Sequence, residues 1–129
     1  MLNLCLSEGV GVLPWSPLAR GRLARPWENE PGTIRAQSDE FAKTLYVATE
    51  DADKKLVDRV TEISKIRNIS HAQISLAWLL SKPSITAPIA GATKLNHLED
   101  AVAAVSIKLT SEEIKMLEAP YIPHSLGGY

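Results

Sequence analysis

The chain has 129 residues, 45% hydrophobic and 22% charged, a composition typical of globular proteins, with enough length for one domain and a buried core. Lys and Arg number 14 against 15 Asp and Glu, for a net charge of -1, so no overall field draws the chain to nucleic acid or to an anionic membrane. One cysteine, Cys5, excludes an intrachain disulfide framework and suits a reducing cytoplasm. No apolar run approaches the ~20 residues of a membrane span, and no signal-peptide pattern opens the chain, so a cytoplasmic protein is expected.

Residues 1–8 read as the last turns of a helix stopped at Gly9, with Cys5 a buried, inert thiol among Leu2, Leu4 and Leu6. The run from Val10 to Leu13, closed by Pro14, suits a parallel strand buried on both faces. Between residues 15 and 50 the regular period is lost and Pro17, Pro26 and Pro31 accumulate. Connections longer than about 12–15 residues are uncommon in compact domains and are usually functional, so this is a candidate binding loop.

A helical period returns over 51–67, with Leu56, Val60, Ile63 and Ile66 as the apolar stripe and Asn68 as the stop. Ser70 and Gln73 form a capping-box pattern that opens a nearly all-apolar helix ending at Lys82-Pro83, expected to be buried on most sides. Residues 85–90 are a second apolar run, although Pro88 weakens a strand there because it offers no ladder donor. Gly91-Ala92-Thr93 turns into a helix carrying Leu98, Ala101, Val102 and Val105, and Thr110 with Glu113 is a second capping box before a short helix and a Pro/Gly tail. The order predicts an α/β fold of two consecutive β/α units plus an extra helix. Two parallel strands cannot form an independent sheet, so further strands are expected from an upstream segment or a partner.

Two turns carry chemistry. Pro14-Trp15-Ser16-Pro17-Leu18-Ala19-Arg20-Gly21-Arg22 follows a strand, where β/α folds bind ligands. Trp15 offers a flat face for a planar ring, Ser16 a hydroxyl, and the backbone near Arg20 and Arg22 donors for pyrophosphate. On residues alone, a Trp plug with solvated arginines explains the same segment. The turn at Gly91, Thr93 and Lys94 is a helix N-terminus suited to an anion, and Lys94 opposes the helix dipole unless an anion is bound; an ordinary capped helix with a surface lysine is the alternative. His71 and His124 lack second ligands at metal spacing, so no metal site is expected. Ser16 has no nucleophile elbow, and Glu112 and Glu113 are accounted for by their place at a helix start. Arg20, Arg22, Arg25 and Arg35 have only Trp15 and Trp27 as aromatic companions, too little for a nucleic-acid surface.

GVGVLPWSPLARGRL, followed about seventy residues later by PIAGATKLNHLEDAV, resembles the last two β/α units of aldo-keto reductases, in the branch that includes bacterial members and the potassium-channel β subunits. The resemblance spans nearly the whole chain and implies the C-terminal part of a (β/α)8 TIM barrel binding NADP(H) across its C-terminal face. It implies Trp15 against the nicotinamide, Ser16, Pro17, Leu18, Ala19 and Arg20 beside the pyrophosphate, and Arg35 further along the same loop. Gly91, Thr93 and Lys94 would hold the adenosine 2′-phosphate, with His97 and Asp100 near the adenine, where relatives usually carry Gln and Glu; Ala101 replaces a common Asn.

The family's catalytic Asp, Tyr, Lys and His come from earlier strands, and none of their motifs is present. Tyr46, Tyr121 and Tyr129 do not match the catalytic tyrosine. The resemblance therefore implies reduction of aldehydes or ketones by a full-length parent acting on a small carbonyl substrate, with this chain inactive alone. A non-catalytic helical interaction module over about 54–118, or an NADP(H)-sensing regulatory subunit, are the alternatives.

Overall fold

The computed structural model describes residues 1–27 and 49–123. Arg35 and most of the 15–50 loop, together with His124 and the end of the tail, lie outside the described residues. Among the described residues the helices are α1 (Leu2–Ser7), α2 (Glu50–Arg67), α3 (His71–Leu80), α4 (Leu95–Ala104) and α5 (Ser111–Glu118), with a short 3-10 stretch at Ala19–Ala24.

Charge and capping set the bounds of α2. Glu50, Asp51 and Asp53 lie in its first turn and Lys65 and Arg67 in its last, each complementing the helix dipole. Asn68 closes it in the left-handed conformation, φ 53°, where its N–H reaches the Ser64 carbonyl. Helices α3 and α5 both begin with complete capping boxes, Ser70 with Gln73 and Thr110 with Glu113, as the sequence predicts.

These three helices enclose the core. Val60 and Ile63 of α2, Ile74 of α3 and Leu117 of α5 pack together, with Leu23, Ile69, Trp78, Leu109 and Met116 around them. The expected α2 stripe is shifted: Val57 is buried, whereas Ile66 is 74% exposed, beyond the arc that faces α3 and α5. In α3, Ile74, Ser75, Leu76 and Ala77 are all buried, in line with its uniformly apolar sequence. Cys5 is only half-buried, because Leu2, Leu4 and Leu6 around it are exposed.

His71 pins α3 to α2. One ring nitrogen lies 2.9 Å from Thr61 Oγ1 and the other 3.4 Å from Ser64 Oγ. Burial, and then the nearby Lys65 charge, hold its pKa below the ordinary imidazole value of 6.5. The unfolded chain therefore takes up this proton more readily, and stability present above pH 6.5 is lost as pH falls from there through the folded value. Urea midpoints measured across that acid range should fall for the unaltered chain and flatten for His71→Gln.

The two expected strands do not form as such. Among the described residues one parallel bridge, Val12 with Ile85, marks their place. The Val12 carbonyl accepts from the Thr86 N–H at 2.9 Å, and the Val12 N–H donates to Thr86 Oγ1 at 3.1 Å. In a parallel ladder the next links would need N–H groups at residues 14 and 88, and both are prolines. The pairing therefore skips to the Ile89 N–H, which donates to the Pro14 carbonyl at 3.2 Å, and ends. Gly11 is required beside it, since a β-carbon there would stand 2.8 Å from Thr86 Oγ1. Gly11→Ala is expected to part the two segments and cost about 1–3 kcal/mol, read as a lower urea midpoint.

Helix α4 turns its small side toward α3, with Ala104 buried and Ala101 half-buried. Of the apolar residues the sequence places on this helix, Leu98, Val102 and Val105 are exposed, as are Val10, Leu13 and Ile89 of the parallel pair. No described helix is long and apolar enough to cross a membrane.

Candidate functional site

The two chemistry-bearing turns leave the same end of the parallel pair. Because Ile89 donates to the Pro14 carbonyl, the chain enters Trp15 on one side and Ala90-Gly91 on the other from neighbouring positions. The carboxyl ends of parallel segments are where β/α folds gather their ligand-binding loops.

The first turn is tightly wound. Ser16, Ala19 and Arg20 all adopt left-handed backbone, φ 52°, 47° and 55°, and Gly21 follows at φ 97°. Non-glycine residues there store of order 1 kcal/mol or more each, strain that concentrates at ligand sites. The Ala19 N–H donates to the Ser16 carbonyl at 2.9 Å, and the Gly21 N–H to the Leu18 carbonyl at 2.9 Å. Ser16 Oγ accepts from the Arg20 N–H at 3.3 Å, which brings the Arg20 guanidinium over the Trp15 ring, 5.8 Å from its centroid. The indole is itself 67% exposed. Pro17 and Leu18 complete the turn and are half-buried.

Beyond the turn the chain is anchored. The Leu23 carbonyl accepts from Ser75 Oγ at 2.9 Å, and its side chain joins the core. Trp15 and Arg20 are thus presented from a base fixed on α3.

In the second turn Gly91, Thr93, Lys94 and His97 are all exposed and Asp100 is half-buried. Lys94, not Thr93, is the N-cap of α4, in extended conformation and without a side-chain capping bond. The first turn of α4 also holds no acidic residue, in contrast to α2 and α5. The helix-start N–H groups and the Lys94 ammonium thus form a positive, solvent-facing end with no side-chain anion of its own to cap it.

Several polar contacts within the fold carry no signal in the sequence. Arg22 pairs with Asp53 at 3.7 Å and lies over the Trp27 ring, 5.2 Å from its centroid. Arg67 binds Glu113 through both carboxylate oxygens, at 2.5 and 2.6 Å. Glu118 takes the Trp78 indole N–H at 3.0 Å and also pairs with Lys82, which holds its carboxyl below the usual range. These partners lie far apart in sequence, and no local pattern signals them. Among the described residues no cluster of His, Cys, Asp or Glu could hold a metal ion.

Comparison with known proteins gives a consistent answer. Residues 1–122 match the Aldo/keto reductase family. The chain is 45% identical over 127 residues to versiconal hemiacetal acetate reductase of Aspergillus parasiticus, covering 98% of this chain and 36% of that protein. It is 41% identical to a putative aryl-alcohol dehydrogenase of Schizosaccharomyces pombe, covering 99% of this chain and 35% of the relative. A thermostable aldo-keto reductase solved with the inhibitor epalrestat superposes with a TM-score of 0.61 at 30% identity, over 93% of this chain and 33% of that one. A glycerol dehydrogenase from Gluconobacter oxydans shares the fold at a TM-score of 0.66 and 18% identity, over 100% of this chain and 40% of its own. The chain therefore spans about a third of the length of these relatives. With the matching turns, the parallel pair and a family match running through both, this chain belongs to the aldo/keto reductase family.

Proposed function

We propose that this chain is the NADP(H)-binding portion of an aldo-keto reductase barrel whose complete form reduces aldehydes or ketones to alcohols. The observation that carries the reading is the common exit of the two turns from one parallel pair, an exposed indole on one and an open, lysine-bearing helix start on the other. An extended dinucleotide has a planar, apolar nicotinamide end and an anionic 2′-phosphate end, and these two surfaces match them.

In this reading Trp15 lies along the nicotinamide, and Ser16 through Arg20 run beside the pyrophosphate. Gly91 lets backbone approach the phosphate closely, while Thr93 and Lys94 donate to it; His97 and Asp100 border the adenine. When bound, the nicotinamide supplies the hydride to the carbonyl carbon. The residues on this chain bind and orient. Reduction also needs a positioned acid to protonate the carbonyl oxygen, and that role falls to the remainder of the barrel. The apolar surfaces left open on α1, α4 and the parallel pair are those that part of a barrel, taken by itself, presents. By itself the chain is expected to bind nucleotide weakly and to show no turnover, and a small carbonyl compound is the substrate class of the whole enzyme. A cytoplasmic setting is in keeping with that chemistry.

Lys94 provides the test. Titration of tryptophan fluorescence should give a saturable response to NADPH, and Lys94→Ala should weaken it roughly tenfold, about 1.4 kcal/mol, with little change toward NADH. Equal response to both nucleotides in the unaltered chain and the variant would remove the 2′-phosphate from the proposal.

A further inference from the structure

We infer that Arg22 and Asp53 form a positioning pair for the nucleotide-facing turn, a proposal that rests on the cofactor reading above. Three contacts point to it. The Arg22 guanidinium pairs with Asp53 Oδ2 at 3.7 Å, with both side chains mostly buried, at 28% and 24% exposure. Its Cζ lies over the Trp27 ring, 5.2 Å from the centroid. Asp53 Oδ2 also accepts from Thr49 Oγ1 at 2.8 Å.

Trp27 and Thr49 are the described residues on either side of 28–48. One arginine and one carboxylate therefore tie together the two flanks of that segment and fix both to the start of α2. Asp53 suits the role because it lies in the first turn of α2, where the helix dipole favours its charge. Thr49, at the N-cap position, makes no capping bond and spends its hydroxyl proton on Asp53 instead. Arginine suits the other half, since its flat guanidinium can stack on an indole and meet a carboxylate at once.

Arg22 lies two residues beyond Arg20 in the same 3-10 stretch, past the left-handed bend at Arg20 and Gly21. The bend divides the work. Before it, Arg20 reaches back over Trp15 on the nucleotide side; after it, Arg22 holds to α2, and the Leu23 carbonyl to Ser75 of α3. A strained turn keeps its conformation only when its surroundings over-determine it. The Arg22–Asp53 pair supplies that restraint from α2, as Ser75 does from α3, and Asp53 itself makes no contact with the nucleotide.

A double-mutant cycle on the full 129-residue chain tests the pair, with NADPH as the probe and tryptophan fluorescence as the readout, below the melting temperature of every variant. Arg22→Met and Asp53→Asn are each expected to weaken NADPH binding roughly fivefold, and the double variant no more than either alone. Arg22→Lys, which keeps the charge but loses the flat guanidinium, should recover only part of the affinity. Asp53→Asn is nearly isosteric, so its effect is separable from loss of fold, and melting curves recorded in parallel check that separation. If Arg22→Met weakens binding while Asp53→Asn does not, or if the two losses multiply, Arg22 acts on the ligand directly and the pair is overturned. Unchanged affinity in both single variants overturns it as well. Absence of any NADPH response in the unaltered chain overturns the cofactor reading together with this one, an outcome distinct from the other two.

Discussion

Ile63→Ala is expected to destabilise the chain by about 2–5 kcal/mol, the largest effect of any single substitution proposed. Ile63 is 0% exposed and packs with Val60, Ile74 and Leu117, a cluster with side chains from α2, α3 and α5. Removing its outer carbons forfeits their burial and leaves a cavity that three helix backbones cannot easily close. A domain's net stability is only about 5–15 kcal/mol, and here much of the apolar surface of α1, α4 and the parallel pair remains in water, so the loss is a large share of the total. Ile66→Ala is the matched control. One helical turn away and exposed, it should change stability by less than about 0.5 kcal/mol. Urea unfolding followed by circular dichroism measures both, and equal effects at the two positions would contradict the placement of the core.

Arg67→Met is expected to cost about 1.5–3 kcal/mol. The guanidinium donates through Nε and Nη2 to the two oxygens of Glu113, and Nη2 also reaches the Lys108 carbonyl at 3.0 Å. It thus ties the end of α2 to the start of α5 and to the segment before it. Glu113 does double duty, since its side chain also accepts the Thr110 N–H at 2.7 Å to complete the capping box. Glu113→Ala should therefore cost more than Arg67→Met, because it removes pair and cap together. The Arg67 hydrogen bond, above all, holds the Glu113 carboxyl below its ordinary value of 4.5, against a smaller opposing effect of burial. Folding thus favours the ionised form, so this stabilisation is present above pH 4.5 and is lost as pH falls from there through the folded value. Arg67→Met should remove most of the part due to Glu113, leaving the separate dependences at Glu118, also held low by Lys82, and at His71, which begins nearer neutrality.

The elements legible in the sequence were those whose determinants are neighbours. Ser70 with Gln73 and Thr110 with Glu113 each place both halves of a capping box within a single turn, and Asn68 can adopt its left-handed cap by itself. Periodicity placed α2 and α3 to within a residue or so. It could not fix which part of the apolar arc faces inward: Ile66 has the spacing of a core residue, yet none of the described helices covers it, and Val57 is covered in its place. In α4, Leu98 and Val102 are exposed, while Ala101 and Ala104 lie on the covered side. A stripe read from sequence faces whatever element covers it, and these have no described partner. The strands failed for a related reason, compounded by Pro14 and Pro88, which remove the ladder donors just where the pairing would extend.

At the site, the Trp15–Arg20 turn and the Gly91–Lys94 turn were visible because each concentrates unusual residues in a few positions. What holds them was not. Arg22 with Asp53 and Leu23 with Ser75 join residues dozens of positions apart, and only the fold brings them into contact. The resemblance to a family supplied the ligand; physical reasoning on the residues alone left a plugging tryptophan and a plain capped helix open.

Amide hydrogen exchange of the chain with and without saturating NADPH tests the central claim most directly. The account predicts that nucleotide slows exchange at both 15–21 and 91–97, with one shared concentration midpoint, while the α2–α3–α5 core is little altered. Protection of one turn without the other, or at two separate midpoints, would mean that they do not grip a single dinucleotide and would contradict the account.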